Sequence, residues 1–317
     1  MRFYMLFLSI SVFLFANEIA PRLVIEASGN VQSIVMQEDK IVAGTNAGTI
    51  DVYAFKDGAL IKKIAFEKIK DFTGEMMAPK VFSVDALLGT ETYVAVVQAS
   101  SGARRLVLVD NGVTKEIISA EENLFITKAQ FVDKNRILVA LMSNELLLID
   151  VKTAKKQYQV QVNPSHFSDF VLNESKSVVA SSCESGEITL SDVATGKTLK
   201  VFSGGNVDNV YKVDFKHQKI LGAGQDRRGI VYDTTSKSYD RFDAPFLIYA
   251  GALSPLAKRG AFAFNEENDI VIFDLASKSK LHTLKGQKST LNTIVFLNEN
   301  ELVSGSDDKF ILLWRLP

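Results

Sequence analysis

A repeat of about 41 residues is the feature that most restricts this chain. Segments built as a polar turn followed by an apolar strand recur along it. In order they are GTNAGTIDVYAF, SSGARRLVLVDN, MSNELLLIDV, CESGEITLSDV, GQDRRGIVYDT, NEENDIVIFDL and GSDDKFILLWRL. Their final polar positions are Ala54, Asp110, Asp150, Asp192, Asp233, Asp274 and Arg315, so the steps are 56, 40, 42, 41, 41 and 41. The one long step holds an insertion, EKIKDFTGEMMAPK, from Glu67 to Lys80. A near-constant period of this size means one supersecondary unit stacked many times, each burying its faces against its neighbours.

Each unit reads as four strands. The last set is KLHTLKG, LNTIVFLN, ELVSGS and FILLWRL, with β-branched and aromatic residues separated by Gly, Asn, Asp or Ser. Strands such as ILVALM and LLLID are apolar on both faces, as strands sandwiched between sheets must be. Pro21, Pro79, Pro164, Pro245, Pro255 and Pro317 all fall between these runs or at a chain end, where no ladder hydrogen bond is needed. Seven units of four strands predict an all-β, seven-bladed β-propeller. The sequence closes on the strand FILLWRL, an edge open to pairing. RLVIEAS, Arg22 to Ser28, has no strands before it to join. It is therefore expected to lie beside FILLWRL, complete the seventh blade and close the ring.

Charge and composition narrow the function. With 36 Lys and Arg against 37 Asp and Glu, and no basic stripe, the chain lacks the electrostatic footprint of a nucleic-acid binder. At the N-terminus Arg2 precedes an apolar or small run from Phe3 to Phe15. As a helix this run spans roughly 20 Å, short of the roughly 30 Å hydrocarbon core. With Ala16 following, it reads as a secretory signal over 1–16, cleaved after about Ala16. The propeller domain then occupies 17–317, in the periplasm and without stable membrane insertion. The lone Cys183 cannot form an intramolecular disulfide and reads as a buried structural thiol.

No catalytic constellation stands out. His166, His217 and His282 occupy different places in their units, whereas a metal site needs three or four converging ligands. The aspartates that end the repeats sit at equivalent positions, as turn-forming groups would. No catalytic, cofactor or metal site is expected, and the chain reads as a non-enzyme.

The units resemble WD repeats. The last copy, KGQKSTLNTIVFLNENELVSGSDDKFILLWRL, carries Gly286, Ser304, Gly305, Ser306, Asp308 and Trp314 in the family's order, but Gln287 where the family has His and Arg315 where it has Asp. The fifth copy keeps Asp226, Tyr232 and Asp233. Without the Gly-His pair, the family's Trp-Ser-His-Asp hydrogen-bond network is expected to be incomplete in every blade. In WD-like rings, the loops between blades share one face with the loops joining the second and third strands of each blade. The resemblance thus places Phe72, Met76 and Met77 of the insertion on that face, with Arg104, Arg105, His166, Arg227, Arg228, Phe246, Glu266 and Glu267 as partner-binding candidates. The signal and overall sequence also look like the propeller accessory proteins of periplasmic nitrate reductase systems. The expectation is a monomeric, non-catalytic interaction scaffold with a protein partner, a component of such a respiratory system. The alternative is a propeller enzyme or sensor holding a small molecule or glycan in its central funnel.

Overall fold

The computed structural model describes residues 17–236 and 238–317, so the expected signal over 1–16 lies outside the described residues. The chain folds into a seven-bladed β-propeller. Six sheets have four strands, one has five, and a separate two-stranded hairpin stands between the first two blades. Blades one to six span 31–65, 81–118, 126–161, 167–202, 210–243 and 251–284. Blade seven combines 291–315 with the N-terminal strand Leu23–Glu26.

All seven repeat anchors, Ala54, Asp110, Asp150, Asp192, Asp233, Asp274 and Arg315, end the third strand of their blades. Four of the aspartates then turn the chain toward the outermost strand. Asp150 and Asp192 each accept hydrogen bonds from the amide and hydroxyl of a Thr three residues on, Asp233 from Thr235, and Asp274 from Ser277. In these four the carboxylate is a turn device, as the equivalent placement implied; Asp110 departs from it, accepting instead from the Thr92 hydroxyl on the neighbouring strand and from the Asn111 side chain.

Burial follows strand position. In blade three the middle strands Arg136–Leu141 and Glu145–Asp150 are buried almost throughout, while the outermost strand Lys156–Gln161 alternates. Seven apolar clusters occupy the seven gaps between neighbouring blades. The outermost strands of blades one to five each carry a Lys or Arg, among them Lys62, Lys115, Lys156, Lys200 and Arg241, which blunts edges that would otherwise invite pairing.

Ring closure is the pairing expected. Leu23, Val24, Ile25 and Glu26 lie antiparallel to Leu313, Leu312, Ile311 and Phe310. Ile25 is 5% exposed in the cluster between blades seven and one, whereas Val24 is 52% exposed. A further strand was not foreseen. Asn17–Ile19 runs parallel to His282–Leu284 as the fifth strand of blade six, with Glu18 paired to Lys285 at 2.5 Å. The segment 17–26 therefore fastens two consecutive blades. Cys183 ends a strand, is 2% exposed, and sits 3.1 Å from the Ser185 hydroxyl.

The expected loss of the buried polar network is corrected in blade seven. Trp314 Nε1 donates to Ser304 Oγ at 2.9 Å, and Ser304 Oγ donates to Gln287 Oε1 at 2.8 Å. Gln287 Nε2 donates to Ser306 Oγ at 2.6 Å, which donates to Asp308 Oδ1 at 2.8 Å. A glutamine amide has both an acceptor and a donor at its tip, so it replaces an imidazole as a two-ended relay. In blade five Asn206 plays a related part. It donates to Asp226 Oδ1 at 3.1 Å, while the amide of Gly205 donates to the Tyr232 hydroxyl. A Cβ at Gly205 would lie 2.4 Å from that hydroxyl oxygen, so only glycine fits.

Candidate functional site

Two features could serve function: the face made by the inter-blade loops, and the channel along the ring axis. The topology puts every sequence-derived candidate on that one face, because each lies in an inter-blade loop or next to the turn between second and third strands.

The insertion is a hairpin, Ile69–Lys70 paired with Met76–Met77. Asp71 Oδ1 closes its turn by accepting from Thr73 N, Thr73 Oγ1 and Glu75 N. The Thr73 hydroxyl holds this carboxyl below its ordinary range. The hairpin presents Phe72, 94% exposed, and Met76, 56% exposed, and rests against the turn Ser100–Gly102. Arg227, Glu266 and Glu267 are exposed, and His166 Nδ1 lies 3.2 Å from Glu184. Arg105 pairs with Glu116 at 3.5 Å. Phe246 is half-buried near Tyr249, which stacks on Tyr211 at 5.0 Å.

Two candidates are tied into the scaffold. Arg104 stacks over Phe82 at 3.9 Å and donates to the Ile126 carbonyl at 2.8 Å, joining blades two and three, and burial pushes its pKa down. Arg228 donates to the Gly205 carbonyl and sits 3.8 Å from Asp226.

The same face carries apolar groups that sequence reasoning passed over. Phe125 and Met142 are exposed side by side, since the Met142 amide donates to the Phe125 carbonyl. The Met142 carbonyl in turn accepts from Phe167 N, next to His166. Together these residues form an arc over blades two to four. Nothing in periodicity marks Phe125 and Met142, because in strands of this composition an apolar residue just outside the ladder looks like one inside it.

The channel is lined by the innermost strands and encloses about 450 Å³. Six of these strands share a register shift after their first residues. In these six blades the residue just after the bulge lines the channel at the equivalent strand position: Ser33, Ser83, Lys128, Asp169, Lys212 and Thr293. Two residues further along each strand a second ring follows, with Asp85, Gln130 and Asp214 among Val35, Val171 and Val295. Many of these groups staple one blade to the next. Ser33 Oγ accepts from Val84 N, Ser83 Oγ from Ala129 N, and Asp169 Oδ2 from Val213 N. In the second ring Asp85 accepts from Phe131 N, Gln130 from Leu172 N, and Asp214 from Leu253 N. Lys128 Nζ reaches Asp169 Oδ1 at 2.7 Å. Burial pulls the Asp169 carboxyl up, but Lys128, Lys212 and its hydrogen bonds outweigh that and hold it below the ordinary range. Asp85, where burial prevails, lies above it. A sequence signal for the first ring existed: VQSIVM, VFSVDA, ITKAQF, FSDFVL, VYKVDF and LNTIVF share a polar third position.

The histidines stay apart: His166 in an inter-blade loop, His217 in a turn at the opposite face, His282 in the fourth strand of blade six, beside Asn17–Ile19. Among the described residues no group of three or more His, Cys, Asp or Glu is arranged to hold a metal ion, and no helix is long and apolar enough to cross a membrane. No protein-family model matches the chain, and comparison with curated proteins finds no similar one.

Proposed function

We propose that this protein is a non-catalytic interaction scaffold of the periplasm, an accessory factor of a nitrate reductase system similar to NapL. One observation carries the scaffold reading. Among the described residues the most exposed aromatic, Phe72, shares one face with the exposed Met76, Phe125 and Met142. Charged groups (Arg227, Glu266, Glu267) lie on the same face. Exposed Met and Phe within a charged surround is the composition of a protein-binding patch, with methionine adapting to the partner's shape. The export signal expected over 1–16 and the resemblance of the whole sequence supply the compartment and the system.

The test is affinity capture from periplasmic extract with identification of bound proteins by mass spectrometry. The wild-type chain should retain a nitrate reductase component. The hairpin deletion 71–78 and the double variant F125S/M142S should lose it while melting like wild type. Capture that is unchanged in both variants would exclude this face. A periplasmic fraction lacking the protein would exclude the compartment.

The alternative, a ligand-holding funnel, has the axial channel on its side.

A further inference from the structure

We infer that the axial channel binds a small anion with an oxyanion head, a carboxylate or an inorganic oxyanion, at the Lys212 ammonium between blades four and five. This site is separate from the loop face and independent of the scaffold reading.

The argument starts from the ring of side chains that the bulges turn inward. Around that ring three of the four acceptors, Ser33, Ser83 and Asp169, staple the amide of the following blade. Lysine has three donors and no acceptor, so it cannot continue this pattern. The ring nevertheless holds two lysines. Lys128 is accounted for by the 2.7 Å contact with Asp169. Lys212 is not. Among the described residues it makes no hydrogen bond, and no carboxylate oxygen lies within 4.0 Å of its ammonium, although it lines the channel beside Asp169.

Charge at this depth makes the point sharper. Lys128 and Lys212 against Asp169 leave the ring with one excess positive charge. The Asp169 carboxylate is already engaged by Lys128 and by Val213 N, so it offers Lys212 field but no contact. The attraction of Asp169 raises the Lys212 pKa, but burial and Lys128 prevail and leave it below its ordinary value. Lys212 therefore carries the excess charge of this ring with no protein partner among the described residues, although over the whole channel lining four lysines stand against four carboxylates. A bound monoanion would restore the balance, accept from Lys212, and find the hydroxyls of Ser33 and Thr293 elsewhere around the same ring. Farther down, Asp85 and Asp214 make the second ring negative, with Asp214 3.6 Å from Lys216. About 450 Å³ is ample for an ion of a few heavy atoms with its waters, or for a small organic acid whose tail points to the loop face.

The experiment is calorimetric titration of the purified chain with sodium acetate and, separately, sodium phosphate, at an ionic strength held constant with chloride. At least one should bind the wild type with a stoichiometry of one. K212M keeps side-chain volume and removes only the charge; it should weaken binding at least about tenfold, the loss of one charge-assisted hydrogen bond. K63M, which removes an exposed outer-strand lysine, should bind like wild type. Acetate alone binding assigns a carboxylate ligand, and phosphate alone an inorganic oxyanion. No heat from either anion, or equal affinity in K212M, overturns the proposal. Should K212M fold poorly, an upward shift of the Lys212 titration in the wild type on adding the anion, read by NMR at Nζ, carries the same decision. Partner capture on the loop face is unaffected by either result.

Discussion

Replacing Ile25 with alanine tests ring closure more sharply than any truncation. Ile25 and Val24 are neighbours in the same four-residue strand and share the same ladder with Leu312 and Ile311. They differ only in direction: Ile25 is 5% exposed, packed among Val31, Ile34, Ile311 and Leu313, while Val24 is 52% exposed. Ile to Ala removes three methyl or methylene groups, about 2.4 kcal/mol at ~0.8 kcal/mol each. The incompletely relaxed cavity brings the total to about 3–4 kcal/mol. Val24→Ala exposes nothing new and should cost under about 0.5 kcal/mol. At about 2 °C per kcal/mol for a chain of this size, I25A should melt about 6–8 °C below wild type and V24A within about 1 °C. Thermal and urea unfolding followed by circular dichroism on the chain beginning at Asn17 reads both. The contrast isolates the closing contact from backbone propensity. If I25A and V24A unfold together, the N-terminal strand is not the clasp that holds blades seven and one, and the reasoning fails.

Other outcomes follow from the same contacts. Gln287→Ala strands the buried Ser304 and Ser306 hydroxyls and should cost about 2–3 kcal/mol, while Gln287→His should recover most of it; equal losses in urea midpoint would dissolve the relay argument. Lys128→Met leaves Asp169, 4% exposed at its side chain, without its countercharge and should cost about 2–4 kcal/mol, discounted for the 26% exposure of Lys128. Ala154 holds φ +57 where the equivalent turns use Gly58 and Gly196, so Ala154→Gly should raise stability by about 0.5–1 kcal/mol, and a loss would argue against strain there. Stability should fall at both pH extremes. Hydrogen bonds from Thr and Ser hold Asp150, Asp192, Asp233 and Asp274 below the ordinary carboxylate value, so their contribution is complete above about pH 4 and lost as pH falls through their folded pKa values. Burial, then Asp192, pushes Tyr158 up to about 12, so its contribution is full below about pH 10 and lost on the way to pH 12; Tyr158→Phe should flatten that alkaline limb.

The count of blades, the ends of the third strands, the aspartate turns and the closing partner of FILLWRL were all legible in the residues, because they are local or repeat at a fixed spacing. A periodic pattern states the same thing seven times, so degenerate motifs do no harm. The inward polar position of the innermost strands was equally periodic, in VQSIVM, ITKAQF and VYKVDF, but reading it required knowing that a bulge turns it to the axis. What the tertiary structure alone decided are partnerships between residues far apart in the chain. Lys128 meets Asp169 across 41 positions, and Asp85 meets Phe131 N across 46, about one repeat each. Arg104 is spent on Ile126 while Phe125 beside it is left exposed. Gln287 acts as a relay because Ser304 and Ser306 flank its two-ended amide. Spacing places side chains at the same depth in a ring; which of them satisfy one another depends on distances across blade gaps, and these exist only once the ring is closed.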